Sequence, residues 1–267
     1  MPDNPRVGVK MRVTVDGMRL AQDWDIGAVS SGLKPSVKVP LSPRVIWNGN
    51  PFCEPGCVLY LPGYPGSGSS IKDFSGSGNH GTISGATWVR LPSGLWCLSF
   101  DGVDDYVNLG NPISLQITGK EIAVELWGKP ITMIGGDAWR TVFMKGDYTF
   151  LGLRIYRDLS GLTFCIRSGD TSYTAVYPTA LTSGQWYHIA GVYNGANVKI
   201  YVNGAETVGG ALTGNIDSIA EDWCIGALSN LGRWCNITVD GACIYNRAVS
   251  ATKIAQHYQQ ERHLFGV

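Results

Sequence analysis

The chain is expected to fold as an all-β sandwich of two antiparallel sheets, and three observations point there. Across residues 183–206, SGQWYHIAGVYNGANVKIYVNGAE, Trp186, His188, Ala190 and Val192 alternate with Tyr187, Ile189, Gly191 and Tyr193; the Asn194-Gly195 turn, the run at 198–202 and a second turn at Asn203-Gly204 follow. Asn-Gly tolerates positive φ, so between β-branched and aromatic runs it marks a hairpin. Short strand candidates recur at 87–91, 95–100, 104–109, 121–127, 140–145, 150–156, 162–167, 172–177, 186–193, 197–202, 221–226 and 236–245, without the strand–helix–strand alternation of a parallel sheet. Composition agrees: 35 Gly and 13 Pro supply turns, while 9 Trp and 12 Tyr suit pleated surfaces.

From the N-terminus, VGVKMRVTV at 7–15 alternates strictly and is followed by Asp16-Gly17 and Met18-Arg19-Leu20, the pattern of a strand with one buried face that turns back at Asp-Gly. A lone hairpin is marginal in water, so that face is expected to pack on the main domain or on another chain. Residues 27–50, rich in Gly, Ser and Pro without a period, read as an extended arm. Residues 1–45 carry seven Lys or Arg against four Asp or Glu. The division expected is an N-terminal strand and arm at 1–50 and a sandwich domain at 51–267. One helix is expected after Ser250 as N-cap, with Ile254, His257, Tyr258 and Glu261 along one side.

Charged residues make up 16% and the net charge is zero, so no global field draws in nucleic acid. No run approaches the roughly 18 apolar residues of a membrane span, and MPDNPRVGVKMR lacks the apolar core of a signal peptide. Seven cysteines, an odd number, exclude a complete intramolecular disulfide set. Those inside apolar runs, such as Cys97 and Cys243, are expected as buried thiols, and Cys53-x-x-x-Cys57 as a small disulfide loop or half a zinc site.

Four segments carry a resemblance. Besides W-x-H-I-A-x-x-Y, Asn-Gly and I-Y-V-N-G in the hairpin, they are DFSGSGNHGT at 73–82, LSFDGVDDYV at 98–107 and VDGACIYNRAVS at 239–250. Together, across residues 58–260, they resemble the laminin-G-like, concanavalin A-like jelly-roll family. The resemblance implies a jelly roll and a structural calcium ion at the 73–82 loop, closed by an acidic residue from the last long strand, with Asp73, Asn79 and Asp240 as ligands. Gly241 departs from the pattern, where an acidic residue is often found. The other reading of this loop is a Gly-rich turn whose polar side chains satisfy their own backbone. Asp101, Asp104 and Asp105 are expected as an exposed turn. The family is met mostly outside cells, so an extracellular or virion-surface location is expected, reached without a visible signal peptide.

Catalysis has thin support. Glucanases share the fold, and glycoside hydrolysis needs two carboxylates across the scissile bond. Glu121 and Glu125 share a strand face, four residues apart, but no E-x-D-x-E-like cluster follows, and they are expected as a surface pair. His188 is expected to make a structural hydrogen bond, and no G-x-S-x-G elbow stands between strand and helix. A sugar site would use aromatic platforms with nearby polar groups. Trp139-Arg140 and Arg233-Trp234, beside loops, are the candidates for that rim. The function expected is a non-catalytic binding or adhesion module, carbohydrate-directed, whose partner is a glycan or protein surface. The alternative is a virion decoration or tail-associated protein whose residues 1–45 dock onto a capsid or a second copy. A glucanase comes third.

Overall fold

The computed structural model describes residues 54–131, 139–146, 151–156, 158–169, 171–230 and 232–267, together with four two-residue strands nearer the N-terminus. The chain divides at Leu41 into two units. In the first, β1 (Val9–Lys10) pairs antiparallel with β4 (Asp25–Ile26), and β2 (Thr14–Val15) with β3 (Met18–Arg19), the pairing that the intervening Asp-Gly predicts. The arm at 27–50 and Cys53 lie outside the described residues.

The second unit is a sandwich of two eight-stranded antiparallel sheets. The first sheet runs, edge to edge, through β15 (Thr171–Tyr177), β14 (Leu162–Ser168), β13 (Leu151–Tyr156), β12 (Trp139–Lys145), β19 (Trp223–Ile225), β10 (Tyr106–Gly110), β7 (Gly81–Ser84) and β6 (Ser70–Ile71). The other runs through β18 (Ala205–Ala211), β17 (Asn197–Val202), β16 (Tyr187–Tyr193), β11 (Ile122–Pro130), β20 (Asn236–Tyr245), β9 (Trp96–Asp101) and β8 (Thr87–Arg90), with β5 (Cys57–Leu61) also paired to β20. The hairpin signal holds in detail: Tyr193 pairs with Val198, Asn194 Oδ1 accepts from Ala196 N and Asn197 N, and Asn203 and Gly204 both take positive φ.

Alternate residues meet between the sheets. Val107, Phe143, Leu153, Phe164 and Ile225 from the first face Val124, Leu126, Ile189, Ile200 and Ile244 from the second, each buried and each contributing about 1.5–3 kcal/mol relative to exposure. The sheets come so close that a Cβ at Gly191 would lie 2.2 Å from the Phe164 ring. Gly241 serves a different need: with φ +60° it sits where the β11–β20 register slips between Glu125 and Trp127, a bulge that an acidic residue would adopt only at a cost in strain.

Every residue of β16 is buried, so the second sheet is covered on its outer face as well. The cover is α1 (Ala251–Phe265). Ser250 caps it, accepting from Lys253 N at 3.3 Å, and Gly266 closes it in the left-handed region. Ile254, His257, Glu261 and Phe265 point inward; Phe265 stacks on Trp127 at 4.1 Å, and Ile254 joins Ala123, Ala190, Val192 and Tyr245.

This arrangement corrects one expectation. Glu125 is not half of a surface pair: it is 4% exposed under α1, whereas Glu121 lies at the surface and accepts from Ala248 N. Asp105 is also buried, and β10 begins only at Tyr106 because Asp105 Oδ2 accepts from Asp101 N and holds the turn. Cys97, Cys165, Cys224, Cys235 and Cys243 are all buried, and burial pushes the Cys224 and Cys235 thiols up to about 12.

Candidate functional site

One end of the sandwich carries an open concavity of about 1070 Å³. Three connections build it: the segment after β10, the β14–β15 turn and the segment between β18 and β19. The first contains a 3-10 turn, Ile113–Leu115, in which Leu115 is fully buried and accepts from Trp223 Nε1 through its carbonyl. That anchor leaves Ile113 facing outward, 88% exposed, beside the concavity's Gln116 and Thr118. Ser168 and Gly169 form a second wall; Thr213, Gly214, Asn215, Asp217 and Ser218 form the third.

The walls are pinned together. Ile216 N donates to Gly119 O, Asp217 N to Arg167 O, and Tyr193 OH to Gly214 O. Asp217 is the one ionisable lining residue among those described, and its charge is already matched: Oδ2 meets Arg167 Nε at 3.0 Å and Oδ1 accepts from Gly169 N at 2.7 Å. Beneath the same loops lies Lys145, almost fully buried, which donates to Asn111 Oδ1 and to Glu221 O at 2.9 Å. Burial lowers its ammonium to about 8, against the opposing charges of Asp222 and Glu221. The concavity therefore presents amides and hydroxyls around an apolar side chain, on loops held by a rigid frame.

The Trp–Arg pairs lie elsewhere. Thr141 N donates to Arg233 O at 3.0 Å, so the two segments, 94 positions apart in sequence from Trp139 to Arg233, do come together. Trp139, Arg233 and Trp234 are half-buried and Arg140 is buried. The Trp139 ring already packs on Tyr156 at 3.5 Å with the Arg154 guanidinium 4.6 Å from its centre, and Trp234 leans on Tyr106 at 6.0 Å.

The 73–82 loop does not fit a calcium ion. Asp73 Oδ1 accepts from Tyr60 N and Ser75 N, and Oδ2 from Ser75 Oγ and Asn79 N, which uses the roughly four lone-pair sites of a carboxylate. Asn79 is spent too, donating to Val58 O and accepting from Ser114 Oγ. Asp240 Oδ1 accepts from its neighbour Gly241 N inside the sheet. Hydrogen-bond donors already meet both carboxylate oxygens of Asp73 and the amide oxygen of Asn79. The Asp101, Asp104 and Asp105 carboxylates do cluster within 4.8 Å, but Asp101 and Asp105 there accept from the turn's own backbone.

Under α1, Glu125 Oε1 lies 2.7 Å from His188 Nε2 and 2.9 Å from His257 Nδ1. Burial raises the carboxyl, yet the His188 charge and hydrogen bond together with those of His257 outweigh it and hold it at about 2. His257 moves up: burial opposes its charge, but the bond to Glu125 and the charges of Glu125, Glu54 and Glu261 prevail. Sealed in this way, Glu125 cannot reach a polysaccharide.

A family model described as the concanavalin A-like lectin/glucanases superfamily matches residues 101–255. Among solved structures, the binding domain of Paraclostridial mosquitocidal protein 1 superposes with a TM-score of 0.60 at 16% identity, over 76% of this chain and 52% of that one. The botulinum neurotoxin serotype G binding domain gives 0.60 at 14%, over 76% and 50%. Trypanosoma rangeli sialidase in complex with sialic acid gives 0.59 at 16%, over 79% and 34%. The chain thus spans about half the length of the two toxin domains and a third of the sialidase. At these identities the likeness is one of fold. No curated protein sequence matches.

Proposed function

We propose that this chain, which belongs to the concanavalin A-like lectin/glucanases superfamily, is a non-catalytic binding module that takes an uncharged glycan into its loop-end concavity. The observation that carries this reading is the lining itself: Gln116, Thr118, Asn215 and Ser218 offer donors and acceptors, Ile113 offers an apolar contact for a sugar C–H face, and Asp217 is neutralised by Arg167. No cationic side chain lines the concavity among the described residues to favour a carboxylated sugar. Against hydrolysis stands the burial of Glu125 beneath α1, away from the open cleft a glycosidase needs for its carboxylates. No described helix is long and apolar enough to cross a membrane.

A glycan array with neutral and sialylated ligands tests the reading. Binding to neutral glycans, lost in Asn215→Ala and weakened in Ile113→Ala, is expected; indifference of both variants, or a preference for acidic glycans, overturns it. The second reading places the ligand at Trp139, Arg140, Arg233 and Trp234, supported by the Thr141–Arg233 bond that joins those segments. Loss of binding in Trp234→Ala but not in Asn215→Ala would favour it.

A further inference from the structure

We infer that Lys145 is a positioning residue of the loop-end concavity: reaching out of the core, it clamps two of the three walls together through Asn111 and Glu221 and so sets the opening a glycan meets. The inference rests on the reading of that concavity as the binding site. Lys145 closes β12, two residues after Phe143, and its cross-strand partner is Trp223; both neighbours belong to the core between the sheets. Partners across an antiparallel pair project from the same face, so Lys145 enters that space too, at 2% exposure. Both partners send a donor to the connection after β10. Trp223 Nε1 meets Leu115 O at 3.1 Å, and Lys145 Nζ meets Asn111 Oδ1. A second N–H of the ammonium goes to Glu221 O at 2.9 Å, in the connection that leads into β19. Asn111 completes the clamp, its Nδ2 donating to Ala220 O at 2.6 Å.

The clamp acts on the lining directly. Asn111 O accepts from Gln116 Nε2 at 3.1 Å, so a side chain of the concavity is oriented by the residue that Lys145 holds. With Nε2 drawn to that carbonyl, Gln116 keeps Oε1 to accept from a sugar hydroxyl. Ile113, the exposed apolar contact, stands on the same short connection, two positions beyond Asn111. On the other side, Ala220 and Glu221 continue the wall of Asn215, Asp217 and Ser218.

Stability alone gives no reason for a lysine here. Burying an ammonium is unfavourable, and its bonds only offset that cost. An apolar side chain of similar reach suits a core-facing position, and replacing buried charge in this way is often neutral or stabilising. The acceptors lie toward solvent, Asn111 half-buried and Glu221 exposed, so water can take the place of the ammonium on them. The frame keeps other ties: Asn108 Nδ2 donates to Asp222 Oδ2 at 2.9 Å, and β12 stays paired with β19. Water cannot reproduce the fixed spacing of the two walls.

Lys145→Met and Asn111→Ala test this in the full chain. Backbone 15N relaxation without glycan reads the clamp itself: order parameters over 111–118 and 215–221 should fall from the rigid range of about 0.85 toward about 0.6, while those of β16 hold. Affinity for the neutral glycan that the wild type retains on the array should fall about tenfold in each variant and no further in the double variant, because both cut one clamp. The proposal is overturned if the two connections keep their order parameters, if β16 loosens along with them, if affinity is unchanged, or if the two losses add. Asn111→Ala cuts the clamp at its half-buried end and decides between these outcomes even where Lys145→Met does not fold. Indifference of binding to Asn215→Ala overturns the reading of the concavity itself, and the two failures are told apart because the order parameters are measured without glycan.

Discussion

Asp73 and Glu125 are both buried carboxylates, and their neighbours give them opposite meanings. Asp73 is ringed by N–H and O–H donors and organises the turn that a metal ion would otherwise organise. We therefore expect chelation by EDTA to leave the melting temperature unchanged, whereas Asp73→Ala, which orphans two buried backbone donors, should cost about 2–4 kcal/mol in denaturant unfolding. A calcium-dependent melting shift of several degrees would refute the first expectation. Glu125 was hidden from sequence for a specific reason. Its strand alternates as a half-buried strand does, and the element that buries its polar side lies 132 positions away at His257. His188 carried a signal, since it stands in the hairpin signature, but its partner was not readable.

At the level of elements, most of the frame was legible because each hairpin writes its own turn chemistry. The strands at β8 to β17, β19 and β20 fall within a few residues of the periodic runs. Among the sandwich strands β5, β6, β7 and β18 were missed, two of them for a visible reason. β6 is only two residues long, and β18 contains Gly209 and Gly210, which break the alternation; there Gly210 makes room for the Tyr173 hydroxyl, 1.3 Å from where its Cβ would stand. The helix announced itself through Ser250 and the spacing of its inward residues. Ser250→Ala should reduce stability by about 1 kcal/mol through the lost cap, seen first as faster exchange at the N-terminal turn of α1. An unchanged exchange pattern would mean that packing on Trp127 alone holds the helix.

For the whole molecule, zero net charge and a charge-matched concavity make one expectation for recognition. If a neutral glycan is the ligand, affinity measured by calorimetry should vary less than about twofold between low and physiological salt, since no exposed ion pair is formed on binding. A steep salt dependence would move attention to the arginine-bearing segments at Arg140 and Arg233. The concavity could not be seen in the sequence because its walls come from three separate connections. Only the fold sets Gln116, Ser168 and Asn215 around one opening.

β15 ends the first sheet, and among the described residues no strand pairs with its outer side. Thr171–Tyr177 contains neither lysine nor proline, pairs with β14 without a slip, and leaves Val176 38% exposed. Edges of this kind are normally blunted because they template further strands. In a crowded solution two molecules could therefore stitch their sheets together along this border, and a lysine in place of Val176 would be the simplest way to keep them apart.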